Sequence, residues 1–297
     1  MSLLYYIYLR ILVICVRLWA RMTGGTSASP NVVYSIPSRN PKRSIPVHVY
    51  QPTQRQPPGQ VGPVLINFHR GGFVIPAHGS DDSFCRKVSE RTGYTVIDVG
   101  YRLAPEHPFP AAHEDAEDAI TWVRSQRETF DTSKVALSGF GAGGSIVLSL
   151  ASVVYPPSAF HCAIAFYPTV DWTIDPGAKM APNPHGPPIS AWMMRLFKNA
   201  VFQGQVNLAD PYVSPLCAAP ERFPPRVMIV TADGDRLAPE GNELGRRLEL
   251  KGGGRVIPLQ VKRCSHAFDK TAQEGSPQKT EKRNAYFLAV DMLRSPL

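Results

Sequence analysis

The chain has 297 residues, with 32 lysines and arginines against 24 aspartates and glutamates, a formal net charge of +8. Hydrophobic residues at 43% and charged residues at 19% supply a large core and exclude a globally disordered chain, and the length admits one or two domains. The 29 prolines argue against a long-helix bundle. Five scattered cysteines (Cys15, Cys85, Cys162, Cys217, Cys264) include no Cys-x-x-Cys pair. They exclude a disulfide framework and a zinc ribbon and fit a reducing, intracellular compartment. The basic excess is local: residues 1–80 hold eight lysines and arginines and no acidic residue. A nucleic-acid binder carries its basic stripe on the folded domain, so no nucleic-acid partner is expected.

Residues 1–30 form a separate N-terminal segment. Leu3 to Ala20 is apolar apart from Arg10 and Arg17, and with Arg21 these arginines are spaced seven and four apart. At helical spacing they fall within a sector of about 40°, one cationic stripe on an apolar helix. An arginine near the centre is costly in a spanning helix, and a signal peptide runs apolar without interruption. The expectation is a helix lying peripherally on a membrane surface through residues 1–21, with Tyr5, Tyr6, Tyr8 and Trp19 at the interface. The alternatives are a helix packed over the domain, covering a substrate entrance, and a true membrane anchor.

Residues 31–297 read as one α/β domain. Short runs rich in Val and Ile, at 45–50, 61–69, 94–101, 134–140, 160–168, 226–235 and 255–264, are bounded by Gly, Pro or Asp. Several are apolar on both faces, as strands of a covered parallel sheet are. Helical patterns lie between them at 82–92, 111–127, 142–154, 239–251 and 279–293, so the alternation predicts a doubly wound, mostly parallel sheet. Residues 171–215 break the rhythm: prolines cluster at 182–188, and residues 189–202 form an amphipathic helix rich in Met and aromatics. An insertion there sits above the carboxyl ends of the strands, where ligands bind, and reads as a helical cap.

Several segments carry chemistry. His69-Arg70-Gly71-Gly72-Phe73 follows one predicted strand, and Tyr101 to Ala112 (YRLAPEHPFPAA) follows the next. Gly139-Phe140-Gly141-Ala142-Gly143-Gly144 lies at a strand-to-helix turn. Asp210 to Leu216 (DPYVSPL), Thr231 to Leu237 (TADGDRL) and Ser265-His266-Ala267-Phe268 complete the series. In this order, from about residue 60 to the C-terminus, they resemble the hormone-sensitive-lipase-like branch of the α/β-hydrolase fold, which includes bacterial esterases and arylacetamide deacetylase. The resemblance implies an oxyanion hole made by the backbone N–H groups of Gly71, Gly72 and Ala142, where glycine lets the backbone approach a substrate carbonyl. It implies Asp235 and His266 as triad acid and base, with Asp233 as the nearest rival acid. Arg70 replaces the family's first loop glycine. His69 reads as a loop brace, and His107 and His113 as packing and capping residues.

The family's Gly-x-Ser-x-Gly elbow is written here with Gly141 in place of the nucleophilic serine. Ser138 and Ser145 are displaced from the tip, and Cys264 reads as a strand residue. Removing a triad serine costs on the order of 10⁶ in rate, so the sequence does not describe an ordinary acyl-enzyme esterase. Three readings stand. One is a serine-independent enzyme that uses the hole and the His–Asp base for elimination, condensation or cyclisation on a small apolar carbonyl or ester compound. The second is a non-catalytic binder of such a ligand, and the third is residual or water-mediated ester hydrolysis. Trp192, Met193, Met194, Leu196 and Phe197 make the cap apolar. No phosphate loop, dinucleotide fingerprint or metal-ligand spacing is present, so no cofactor and no metal are expected.

Overall fold

The computed structural model describes residues 2–23, 28–53, 57, 59–185 and 188–295. Its strands are β1 (Val32–Pro37), β2 (Ser44–Tyr50), β3 (Gly62–Phe68), β4 (Thr95–Val99), β5 (Phe130–Phe140), β6 (Ala163–Phe166), β7 (Arg226–Ala232) and β8 (Arg255–Val261). The helices are α1 (Leu3–Thr23), α2 (Asp82–Thr92), α3 (Ala111–Ser125), α4 (Ala142–Ser149), α5 (Ala191–Val201), α6 (Ala238–Lys251), α7 (Phe268–Thr271) and α8 (Pro277–Arg294).

The strands form one sheet in the order β1-β2-β4-β3-β5-β6-β7-β8. β1 and β2 are antiparallel, and every pairing from β4 to β8 is parallel. Alternation along a strand divides the side chains between two layers. Val64 and Ile66 face Ile120 of α3 and Ile146 of α4, whereas Leu65 faces the layer holding Phe84 of α2 and Tyr286 of α8. At the far end, Val227 and Ile229 pack on Leu244 and Leu248 of α6. Covered on both faces, the central strands carry the unbroken apolar runs seen in the sequence.

The sequence reading omitted β1, an edge strand that ends at Pro37 and is exposed along most of its length. The predicted 142–154 helix is α-helical only to Ser149 and finishes as a π-helical turn, Leu150–Val154. The cap helix α5 starts at Ser190, whose hydroxyl accepts from the Met193 N–H at 3.1 Å and so satisfies one free donor of its first turn.

Helix α1 packs on the domain. Leu9, Val13 and Val16 are buried in the core, and Tyr5 meets Asn199 of α5 at 3.0 Å. Two arginines of its stripe, Arg17 and Arg10, are turned to the domain. Arg17 Nε donates to the Val74 carbonyl at 2.9 Å, and its terminal nitrogens reach the Ala104 carbonyl at 2.7 Å and Glu106 at 2.8 Å. Arg10 joins Glu106 at 3.5 Å. The side turned away from the domain, including Leu4, Ile7, Ile11, Leu18 and Met22, is exposed and apolar. Leu3–Met22 is also long and apolar enough to cross a membrane by length and composition alone. The helix therefore packs on the domain along one side and leaves an apolar side uncovered.

Arg17 should matter more than Arg10. Arg17→Ala leaves two carbonyls without their donor and Glu106 with only Arg10, and should cost about 1–3 kcal/mol. Arg10→Ala, at a longer and more exposed pair, should cost under about 1 kcal/mol. Urea denaturation of both variants checks this, and equal losses would contradict the docking described.

Candidate active site

The site begins at the joint between β5 and α4. Gly141 occupies it with φ 52° and ψ −113°, a left-handed backbone that a side chain strains. Its neighbours are held backbone to backbone: a Cβ on Gly143 would collide with the Phe68 carbonyl, and one on Gly139 with the backbone of Gly143. The Gly141 N–H donates to the Phe166 carbonyl at 2.9 Å, which fixes the turn over β6. A Cβ placed on Gly141 would lie 3.7 Å from Arg70 Cβ and 3.8 Å from His266 Nε2, ordinary van der Waals separations. The space for a serine side chain is therefore open, and it faces the imidazole.

Two loops past β7 and β8 bring Asp235 and His266 together. His266 Nδ1 donates to Asp235 Oδ2 at 2.6 Å, and Asp235 is 1% exposed. The Leu237 N–H holds the other carboxylate oxygen at 3.1 Å. A buried carboxylate on Nδ1 fixes the tautomer that leaves Nε2 free to accept a proton. The ring of Tyr167, itself at positive φ, stands 4.7 Å from the imidazole, and its hydroxyl donates to Asp269 at 2.7 Å.

The loop after β3 supplies the other wall. Gly71 and Gly72 have φ of 120° and 60°, and the Gly71 carbonyl closes the turn by accepting from Val74 and Ile75. Among the described residues, no acceptor takes the N–H of Gly71, Gly72 or Ala142. A Cβ on Gly72 would strike the Phe197 ring of α5, so the cap rests directly on this loop. His69 braces the loop from below: it stacks on Tyr101 at 4.1 Å and engages the Arg70 carbonyl at 2.6 Å. Burial pushes its imidazole down to about 3, so it stays neutral.

The structure sorts the remaining candidates. Ser138 Oγ donates to Asn67 at 2.8 Å inside the sheet, and Ser145 Oγ donates to the Thr169 carbonyl. Cys264 is buried, which pushes its thiol up to about 12. Asp233 accepts from the Cys264 N–H at 3.2 Å, not from His266. His113 is buried among Phe73, Phe109 and Tyr212, as expected of a packing residue. His107 is exposed, which corrects its reading as one. His48, His78 and Asp98 converge from separate segments closely enough to hold a metal ion. No motif spacing signals this group, and there His78 Nε2 already donates to the Asp98 carbonyl at 3.0 Å.

Above Gly141 lies a cavity of about 210 Å³. Gly71, Gly72, Ala142 and His266 line its floor, and Met193, Met194 and Phe197 of the cap line its roof. Trp19 of α1 reaches its edge, together with Trp172 and Ile174. Trp19 and Trp172 escaped the sequence reading as pocket residues, since nothing in their local pattern separates them from interface or core residues. Cavity and cap together favour a small, largely apolar ligand.

The α/β-hydrolase fold family matches residues 65–270. Ethyl acetate hydrolase of Pseudomonas putida is 30% identical over 215 residues, 70% of this chain and 67% of that protein. Esterase LipI of Mycobacterium tuberculosis is 31% identical over 210 residues, 67% of this chain but only 62% of its own length. Among solved structures, the hyperthermophilic esterase from the archaeon Pyrobaculum calidifontis is similar at a TM-score of 0.78 and 26% identity, covering 99% of this chain and 98% of that one. A thermophilic carboxylesterase from a metagenomic library reaches a TM-score of 0.79 at 25% identity, covering 97% and 98%.

Positive φ at residue 141 has a measurable consequence for stability. A serine there adds roughly 1–3 kcal/mol of backbone strain. Its smaller unfolded-state entropy offsets about 0.4–1 kcal/mol. Strain outweighs that offset, so Gly141→Ser should lower the melting temperature by a few degrees, at about 2–4 °C per kcal/mol. A raised melting temperature in differential scanning calorimetry would show that the turn stores no strain.

Proposed function

The chain belongs to the α/β-hydrolase family, and on that premise we propose that it acts on a small apolar carbonyl or ester compound without a serine nucleophile. The observation that carries this reading is the retained dyad: His266 keeps its buried aspartate at 2.6 Å, and its Nε2 faces a glycine. The backbone N–H groups of Gly71, Gly72 and Ala142 act as the oxyanion hole. A substrate carbonyl oxygen seated on them gains electrostatic stabilisation as negative charge develops. His266 Nε2 then takes a proton from the carbon beside that carbonyl, and Asp235 stabilises the imidazolium. Elimination, condensation or ring closure follows when the resulting enolate expels a leaving group or attacks a second centre, and the proton returns from Nε2. Gly141 leaves open the space an acyl-enzyme would fill.

Ester hydrolysis, residual or water-mediated, is an alternative favoured by the names of the relatives, an ethyl acetate hydrolase and esterases. With no serine, the hole and the bound base support only about 10³–10⁴ over the reaction in water. A binder without turnover is the other alternative. The retained dyad favours the reading that needs His266, because a mere binder has no use for one.

The protein should hydrolyse p-nitrophenyl butyrate near the background rate, and Gly141→Ser should raise that rate measurably because Nε2 lies within reach of the new hydroxyl. On any carbonyl compound that yields a product mass shift, His266→Ala should abolish turnover. Asp235→Asn should reduce it by up to about 10⁴-fold through the wrong tautomer. Full turnover in both variants would remove the general base from the mechanism, and tight binding with no product from any carbonyl compound would support the binder.

A further inference from the structure

Among the described residues, Arg70 is the one cation lining this pocket that has no partner. Lys179, also on the wall, is paired with Glu240 and donates to the Asp171 carbonyl at 2.6 Å. Lys198 donates to the Trp172 carbonyl at 2.8 Å. The wall's carboxylate, Asp171, is occupied by the N–H and hydroxyl of Thr173, at 2.8 and 2.6 Å. Arg70 Nε is buried without a hydrogen-bond partner, and no hydrogen bond or ion pair with a described residue engages the guanidinium. The side chain starts beside the vacated nucleophile position, its Cα 4.0 Å from where a Cβ on residue 141 would lie. A guanidinium does not lose its proton in a protein, so Arg70 cannot escape the cost of partial burial by becoming neutral. A charge placed in an apolar recess with no counter-charge is stabilised when a ligand brings one.

Resting on the reading of this cavity as the ligand site, we propose that the ligand carries a carboxylate that Arg70 binds. The substrate class is then a short, apolar carboxylic acid with a second carbonyl or ester group, such as a half-ester or a keto acid. The guanidinium fork takes the carboxylate through two parallel N–H donors, and the remaining carbonyl faces Gly71, Gly72 and Ala142. One unpaired guanidinium balances the single charge of a carboxylate, and the apolar roof of Met193, Met194 and Phe197 favours an apolar acid over strongly hydrated inorganic phosphate. Arg70 also explains why the missing loop glycine is not neutral to specificity: neutral short esters leave its charge unpaired.

The test compares isosteric acids and amides, phenylacetate with phenylacetamide and hexanoate with hexanamide, by isothermal titration calorimetry on the full chain. The acid of each pair should bind about tenfold or more tightly than its amide, as charge-assisted bidentate pairing requires. Arg70→Gln should erase that preference, leave the amide affinity in place, and hold or raise the melting temperature, because the guanidinium has no protein partner to lose. Inorganic phosphate should neither bind nor displace the acid. Equal affinities, no binding by either compound, a preference that survives Arg70→Gln, or tighter binding of phosphate would each overturn the proposal. His266→Ala keeps the two claims apart. Lost turnover with the acid preference intact bears on the general base, whereas a lost preference in Arg70→Gln bears on the carboxylate subsite.

Discussion

The close backbone approach at the β5–α4 joint is the constraint on which the rest of the site depends. Gly143 touches the Phe68 carbonyl at the end of β3, and Gly139 touches Gly143, so no side chain fits at either position. That contact places the first turn of α4 beside the loop that follows β3. It thereby brings Ala142 to the same cavity as Gly71 and Gly72. Gly141 differs from its neighbours, because space for a side chain exists there and only the positive φ opposes one. An enzyme that needs a serine carries that strain. With glycine at 141, this chain carries no such strain.

Beneath the turn runs a buried polar network that holds its parts in register. Asn67 of β3 donates to Asp81 at 3.1 Å and to Asp98 of β4 at 2.8 Å, and accepts from Ser138 of β5. Lys270 bridges Asp81 at 2.7 Å and Asp269 at 2.8 Å. Asp269 in turn accepts from the hydroxyls of Tyr167 and Tyr286. Burial, followed by the charge of Asp81, pushes the Asp98 carboxyl up to about 7, whereas Lys270 holds Asp269 below its usual range despite burial. Such a network is stable only when each member is satisfied. It joins three strands to α7, the helix that starts two residues after His266, and ends at the Tyr167 ring that packs on the imidazole.

The sequence was legible where one local pattern carried the information. Apolar runs of Val and Ile marked the seven strands from β2 to β8, and glycine at 139, 141 and 143 marked the turn. β1 was missed because an edge strand ending in proline, with one face in water, has too few buried residues to repeat. The arginines of α1 were legible as a stripe but not as a dock, since Glu106 and the Val74 and Ala104 carbonyls lie far along the chain. The family pattern located Asp235 and His266, and the structure brings them within hydrogen-bond distance. Pairwise facts were out of reach: the isolation of Arg70 and the contact of Phe197 with Gly72 exist only once distant segments meet.

The central claim is that this site holds a base and an oxyanion hole but no activated serine. Intact-mass spectrometry after incubation with phenylmethylsulfonyl fluoride tests it most directly, because that reagent sulfonylates a serine only when a neighbouring base activates it. Ser138 is buried in a hydrogen bond to Asn67, and Ser145 in one to the Thr169 carbonyl. The protein should therefore remain at its unmodified mass while the Gly141→Ser variant gains one adduct. A stoichiometric adduct on the unsubstituted protein, mapped to Ser138 or Ser145, would contradict the account.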